Sequence, residues 1–89
     1  MTEAEVTIVN RLGLHARAAA KFVHLASRFS ARVMVSKDGT RVDGKSILGL
    51  LTLAAAKGTR LHVIASGDDE AAAAGALVEL IRSRFGEDE

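Results

Sequence analysis

The sequence predicts an α+β fold, an open-faced β-sandwich in which a four-stranded antiparallel sheet carries three helices on one face. Four short segments alternate apolar and polar residues, which is the period of a strand with one buried face. Other segments repeat apolar residues every three or four positions, which is the period of an amphipathic helix. An Asp-Gly pair at residues 38–39 predicts a tight hairpin and therefore antiparallel pairing. The 89 residues suffice for a single domain, residues 1–89, in the order β-α-β-β-α-β-α.

The first half of the chain predicts a strand, a helix and the two strands of the hairpin. Val6 and Ile8 alternate with polar neighbours and predict the first strand. Residues 16 to about 29 predict an amphipathic helix, and residues 31–35 and 40–42 alternate again on the two sides of the hairpin. The apolar stripe of this first helix consists of Ala19, Phe22, Val23, Ala26 and Phe29.

The second half predicts two helices separated by the fourth strand. Ser46 is a suitable N-cap for a short helix that runs to about residue 55. Residues 59–65 alternate as the fourth strand. Asp68 or Asp69 is expected to cap a last helix that runs through residue 84, with Gly86 as its stop. The three acidic residues at 87–89 are expected to fray.

The short helix after Ser46 is more apolar than a helix with one covered side needs to be. At 100° per residue, Leu50, Leu53 and Ala54 share one side of this helix. The opposite side carries Leu48, Leu51, Thr52 and Ala55, with Ile47 at its edge. An apolar side that the fold leaves uncovered usually meets another protein, although deeper burial of the whole helix would also explain it.

The composition excludes several classes of function. The chain has no cysteine and only three scattered histidines, so no metal site is predicted. It has neither Trp nor Tyr, so stacking platforms for single-stranded nucleic acid are missing. The apolar runs are too short to cross a bilayer and the N-terminus is acidic, so we expect a cytoplasmic chain with neither membrane insertion nor signal peptide. Residues 1–60 carry ten Lys or Arg against four Asp or Glu, and residues 61–89 carry two against seven, so the first part could attract an anionic ligand or an acidic protein.

His15 lies where the exit loop of the first strand meets the first helix. The first N–H groups of a helix have no backbone acceptor, and the helix dipole adds partial positive charge there, so this end suits an anion. An imidazole at this place can act as a nucleophile and accept a phosphoryl group, whose oxygens Arg17 could bind from the first turn. A lone histidine at a helix start is more often a solvated or capping residue, so the residues alone leave both interpretations open.

Two stretches of the chain resemble the signatures of the HPr family, the histidine-containing phosphocarriers of the bacterial phosphotransferase system. LGLHARAAAKFV (residues 12–23) resembles the family's phosphorylation motif, and VDGKSILGLLTLAAAKGT (residues 42–59) resembles its second signature. The resemblance implies the same open-faced sandwich, no cofactor and no metal. It also implies that His15 takes a phosphoryl group on Nδ1 from phospho-Enzyme I, that Arg17 clamps it, and that it passes to a histidine of an enzyme II A domain.

The resemblance also implies partners and a docking surface. Ile47, Leu48 and Leu51 would dock Enzyme I and enzyme II A domains beside the histidine, with Lys21 at a basic rim that faces acidic partner surfaces. In part of the family the serine that matches Ser46 is phosphorylated by HPr kinase, so Ser46 is a candidate regulatory site in addition to a helix cap. The chain is expected to be a monomer and a carrier, not an independent enzyme.

Ala18 departs from the family pattern, which usually has proline there. Within the family, this leaves open a regulatory, nitrogen-related branch of the phosphotransferase system in place of sugar uptake. From another class comes a small acylphosphatase-like hydrolase, for which Asn10 is the nearest candidate to position water. A third is a regulator that only binds partners through the short helix; a phosphorylatable histidine at residue 15 argues against it.

Overall fold

The computed structural model describes all residues, 1–89, and confirms the predicted fold class and element order. The elements are β1 (Thr2–Thr7), α1 (Ala16–Ala26), β2 (Arg32–Lys37), β3 (Thr40–Asp43), α2 (Ile47–Thr52), β4 (Arg60–Ser66) and α3 (Glu70–Arg82), followed by a left-handed turn at Arg84–Gly86. The strands form one antiparallel sheet in the order β1-β4-β2-β3. None of the helices has the length and apolar character to cross a membrane.

The strand β2 buries alternate side chains as the pattern predicts, whereas β4 buries Ile64 in addition to its alternating residues and β3 buries none. Val35 lies opposite Val63 across the β2–β4 pair, and Val6 lies opposite Leu61 across the β1–β4 pair. All four side chains are buried in the main core cluster, which α1, α2 and α3 also enter from one face of the sheet. The register therefore fixes which face of the sheet carries the helices.

The helix α1 ends earlier than the apolar stripe predicts. Ala18, Ala19, Phe22 and Ala26 are buried. The N–H of Phe29 then bonds to the carbonyl of Ala26 in a four-residue turn, so the stripe continues past the end of the helix. Phe29 still packs, but against a second, smaller cluster under the sheet's end.

The helix α2 also ends before its predicted residue 55, and this changes which alanine is buried. Lys37 Nζ donates to the carbonyl of Leu53 at 2.9 Å, which satisfies a carbonyl that the end of the helix leaves without a backbone donor. Ala54 then takes a left-handed backbone with φ of +49°. As a result Ala54 is exposed and Ala55 is buried, the reverse of the helical-wheel prediction, whereas Leu50 and Leu53 are buried as predicted.

The helix α3 begins at the predicted place but without the predicted cap. Asp69 holds the N-cap position, yet its side chain makes no capping hydrogen bond. Its carboxylate instead accepts from the N–H groups of Ser30 and Ala31, at 2.9 and 2.8 Å, just before β2. These bonds lower the pKa of Asp69 and join the start of α3 to the start of β2.

Candidate functional site

The loop between β1 and α1 is shaped by close contact with the segment that follows α2. Gly13 has a φ of +70°, and a Cβ on it would lie 2.6 Å from the carbonyl oxygen of Ala55. The N–H of Leu14 donates to that same oxygen at 2.8 Å, and the Leu14 side chain is buried. Glycine is therefore required at 13 for both conformation and space. The contact holds the segment that follows α2 against the loop that precedes His15.

His15 is the N-cap residue of α1, with extended backbone and no capping hydrogen bond from its side chain. Its carbonyl accepts the N–H of Ala19 and so begins the helix. The N–H groups of residues 16–18 have no backbone acceptor. His15, whose side chain is 26% exposed, therefore directly precedes three free amides at the positive end of the helix.

Arg17 lies in the first turn of α1, exposed and without an ion pair. The geometry leaves its guanidinium free to reach an anion bound at the helix start. His24, the next histidine along the chain, is exposed in the last turn of the same helix. His62 belongs to β4, where its Nε2 lies 3.3 Å from a carboxylate oxygen of Glu3.

The C-terminal residues are not frayed, which corrects the sequence prediction. The carboxylate of Glu87 contacts Nε2 of His15 through one oxygen and accepts from Asn10 Nδ2 through the other, at 3.0 Å. Glu89 lies against Arg11, with its carboxylate 3.1 Å from Nε. The tail folds back because it is acidic and the loop before α1 is basic or carries free donors.

The Glu87 carboxylate is held in its ionised form. Its partial desolvation acts to raise the pKa of Glu87, but hydrogen bonds from His15 and Asn10 and the nearby charges of His15 and Lys21 lower it overall. Glu87 is thus a charged acceptor in contact with His15.

Asn10 is the single fully buried polar side chain of the core. Its Nδ2 donates to the Gly13 carbonyl at 2.8 Å as well as to Glu87, and its Oδ1 has no partner. A residue that positions water for hydrolysis must reach solvent or substrate, and Asn10 does neither. The structure therefore removes Asn10 from the hydrolase alternative.

Lys21 is tied to the tail instead of standing free at a rim. Its Nζ donates to the carbonyl of Phe85 at 2.7 Å. The residue nevertheless remains exposed on the polar side of α1, on the same helix as Arg17. The structure thus keeps Lys21 close to the site and also gives it a structural contact.

The predicted uncovered side of α2 is present. Leu48 is 77% exposed and Ile47 is 37% exposed, whereas Leu51 is half-buried against the core. Ser46 caps this helix as predicted, because its Oγ accepts the N–H of Gly49 at 3.0 Å. Since α2 packs against α1 and its following segment touches the His15 loop, the exposed leucine belongs to the same region as the histidine.

Sequence reasoning missed Glu87 because no local pattern predicts a contact across 72 residues. The signal that could have found it is the opposite net charge of residues 1–60, which are basic, and residues 61–89, which are acidic.

Comparison with known proteins agrees with this geometry. A family model described as the PTS HPr component phosphorylation site matches residues 2–83. Phosphocarrier protein HPr of Pseudomonas aeruginosa is 53% identical over 90 residues, and that of Neisseria meningitidis is 52% identical over 89, each over the whole of both chains. A crystal structure of HPr from Thermoanaerobacter tengcongensis has a TM-score of 0.96 at 47% identity and covers both chains fully. A structure described as the HPr dimer of that organism has a TM-score of 0.78 at 48% identity, covering 98% of this chain and 100% of the other. With a family model spanning most of its length and relatives about half identical from end to end, this chain belongs to the HPr family of phosphocarrier proteins.

Proposed function

We propose that His15 accepts a phosphoryl group on Nδ1 from phospho-Enzyme I, charged by phosphoenolpyruvate, and passes it to a histidine of an enzyme II A domain. The observation that carries this proposal is the partly exposed His15 at the N-cap of α1, directly before three amides without acceptors. Residues 1–89 act as one domain, as a cytoplasmic monomer without a cofactor. The chain is a carrier whose phosphohistidine is transient, not an independent enzyme.

For this transfer the chain has to position the His15 ring and provide positive groups that bind the phosphoryl oxygens. The Nδ1 lone pair forms the bond to phosphorus while the bond to the donor breaks and its electron pair stays with the donor. The free amides at the start of α1 then receive the phosphoryl oxygens, and Arg17 clamps them from the first turn. The phosphoryl group on His15 remains accessible to the next partner. Its bond to Nδ1 can therefore break as the acceptor histidine of that partner forms a bond to phosphorus.

Partners dock on the exposed side of α2. The surface formed by Ile47, Leu48 and Leu51 is apolar and lies in the region of the histidine, and Arg17 and Lys21 supply positive charge at its border. An apolar centre with a charged border is the usual anatomy of a transient interface. The positive border fits acidic surfaces on Enzyme I and on enzyme II A domains.

Ser46 is the proposed regulatory site, for phosphorylation by an HPr kinase. Its hydroxyl already accepts a helix N–H, and a phosphate at a helix N-terminus is favoured by the dipole. The same phosphate would set negative charge beside Leu48 and repel acidic partners. Phosphorylation of Ser46 would therefore reduce phosphoryl acceptance at His15.

The test is a relay of label from phosphoenolpyruvate through Enzyme I to an enzyme II A domain, with and without this chain. We expect label on the II A domain only when the chain is present, and none with His15→Ala. The same assay with II A domains of sugar uptake and of the nitrogen-related branch shows which branch this chain, with its Ala18, serves. Release of the label as inorganic phosphate by the chain alone would favour the hydrolase alternative and contradict the proposal.

A further inference from the structure

The geometry points to Glu87 as a positioning residue for the phosphoryl acceptor: its carboxylate binds the Nε2 proton of His15, so the lone pair of the neutral ring lies on Nδ1. This inference rests on the proposed function and deepens it. Glu87 lies beyond residues 2–83, the part of the chain that the family model matches.

The contact leaves one arrangement of protons on the neutral ring. An ionised carboxylate can only accept hydrogen bonds, so Nε2 must carry the proton that lies between it and Glu87. The neutral imidazole has one N–H, and Nδ1 is therefore the nitrogen with the free lone pair. Glu87 also occupies the Nε2 side and prevents phosphoryl transfer to that nitrogen.

Asn10 fixes the carboxylate relative to the histidine. Its buried amide donates both to Glu87 and to the carbonyl of Gly13, two residues before His15. Glu87 and the ring are thus attached to one loop, and the side chain of Glu87 is only 20% exposed. A carboxylate held by two partners and mostly withdrawn from water has few other orientations.

The turn at residues 84–86 places the Glu87 side chain against His15. Arg84, Phe85 and Gly86 all have left-handed backbone, with φ of +61°, +55° and +79°. Two of them are not glycine, so this turn persists only where the surroundings hold it. Phe85 is 1% exposed in the core, and Lys21 Nζ binds its carbonyl at 2.7 Å. A buried anchor and a strained turn directly before Glu87 are what a positioning segment requires.

The same contact assists the transfer step. When Nδ1 bonds to phosphorus, the ring keeps its Nε2 proton and gains positive charge, and the donor leaves with the electron pair of the broken bond. The Glu87 carboxylate lies against the proton of this charged ring and stabilises it. When the phosphoryl group departs, the electron pair returns to Nδ1 and the ring is again neutral with its proton on Nε2.

The test compares Glu87→Ala with Asp88→Ala, which removes the same charge one residue away, where only the backbone carbonyl makes a contact. Nitrogen NMR of His15 reports the tautomer and the exchange of the Nε2 proton, and steady-state kinetics with Enzyme I report kcat and KM for each chain. We expect Asp88→Ala to match the unmodified chain. We expect Glu87→Ala to show a mixture of tautomers, fast exchange of the Nε2 proton and about a tenfold lower kcat at unchanged KM.

Two results would overturn the inference: an unchanged tautomer and exchange rate in Glu87→Ala, or a change confined to KM, which would make Glu87 a docking residue. The NMR readout needs no phosphoryl transfer. If the unmodified chain accepts no phosphoryl group, the proposed function fails while the NMR comparison still decides the role of Glu87.

Discussion

Ala18 is the residue at which this chain departs from the usual motif of its family. It is the third residue of α1, its side chain is fully buried and its N–H has no backbone acceptor. Proline would lose no hydrogen bond at this position, and its φ suits the first turn of a helix. The difference that matters for an anion on His15 is the N–H group: Ala18 has one that could contact the anion, and proline has none.

We predict that Ala18→Pro stabilises the chain by about 0.4–1 kcal/mol, because the unfolded state becomes less free. The measurement is thermal unfolding, in which Tm should rise by a few degrees, paired with the rate of phosphoryl transfer. We expect that rate to change little, since the family works without an N–H at this position. A marked loss of rate in a stabilised variant would instead show that the Ala18 N–H holds the phosphoryl group.

Gly13 gives a second prediction at the residue scale, with Gly39 as its matched control. Both have left-handed backbone, but a Cβ on Gly13 meets the Ala55 carbonyl at 2.6 Å and a Cβ on Gly39 meets nothing within 4 Å. Gly39→Ala should lower the free energy of unfolding by about 1–2 kcal/mol, from backbone strain alone. Gly13→Ala should lower the free energy of unfolding by about 1–3 kcal/mol more than Gly39→Ala does, because the new Cβ must push the Ala55 carbonyl away. Equal losses in urea unfolding would contradict the account of the loop.

At the scale of elements, α2 has one side that packs in the core and one side that is exposed to solvent. Leu50, together with Leu53 beyond the helix end, fills the core, whereas Leu48 projects from the opposite side. The helix is only six residues long and is held by its Ser46 cap and by contact with α1. Its exposed side can therefore change without loss of the fold.

We predict that Leu48→Glu leaves the free energy of unfolding within about 0.5 kcal/mol of the unmodified chain. It should raise KM for Enzyme I, because it removes apolar contact and adds charge that repels an acidic partner. Ala71→Glu is the control: it adds the same charge at an exposed site of α3, and α1 lies between α3 and α2. An unfolded Leu48→Glu would show that the buried and exposed sides of α2 are assigned the wrong way round, and an equal rise of KM in both variants would show that α2 is not the docking surface.

The start of β1 is joined to the start of α3 by Glu70. Its carboxylate accepts from the N-terminal ammonium, from the Thr2 hydroxyl and from the N–H of Gly67, and these bonds lower the pKa of Glu70 to about 2. A lowered pKa in the folded state means that ionised Glu70 stabilises the fold above its unfolded pKa. This stabilisation is lost as the pH falls from about 4.5 towards about 2.

We therefore predict that the unmodified chain has a higher Tm than Glu70→Gln at neutral pH and that the difference shrinks across this acidic range. Thermal unfolding at a series of pH values measures it. Glu79→Gln, which alters an exposed carboxylate without an ion pair on the same helix, serves as the control. A Tm difference for Glu70→Gln that persists at pH 2 would contradict the assignment.

For the whole molecule, the local patterns were sufficient to predict the sheet, the helices and the place of His15. Three local signals predict these elements: the alternation of apolar and polar residues, the helical period of apolar residues and the Asp-Gly turn. Each depends on a few neighbouring residues and can therefore be recognised in the sequence. The early end of α2 was missed because no local pattern marks the left-handed backbone of Ala54, a residue that usually favours helix. The contact of Glu87 with His15 was missed because it depends on how the tail packs after the rest has folded. Long-range polar contacts of this kind are set by tertiary structure and leave no periodic trace.

The most direct test of the account is intact mass after incubation with Enzyme I and phosphoenolpyruvate. We predict the addition of one phosphoryl group that is stable in base and lost in mild acid, as a phosphoramidate is. It should be absent from His15→Ala and present in His24→Ala and His62→Ala. Full phosphorylation of His15→Ala would contradict the central claim that His15 carries the phosphoryl group.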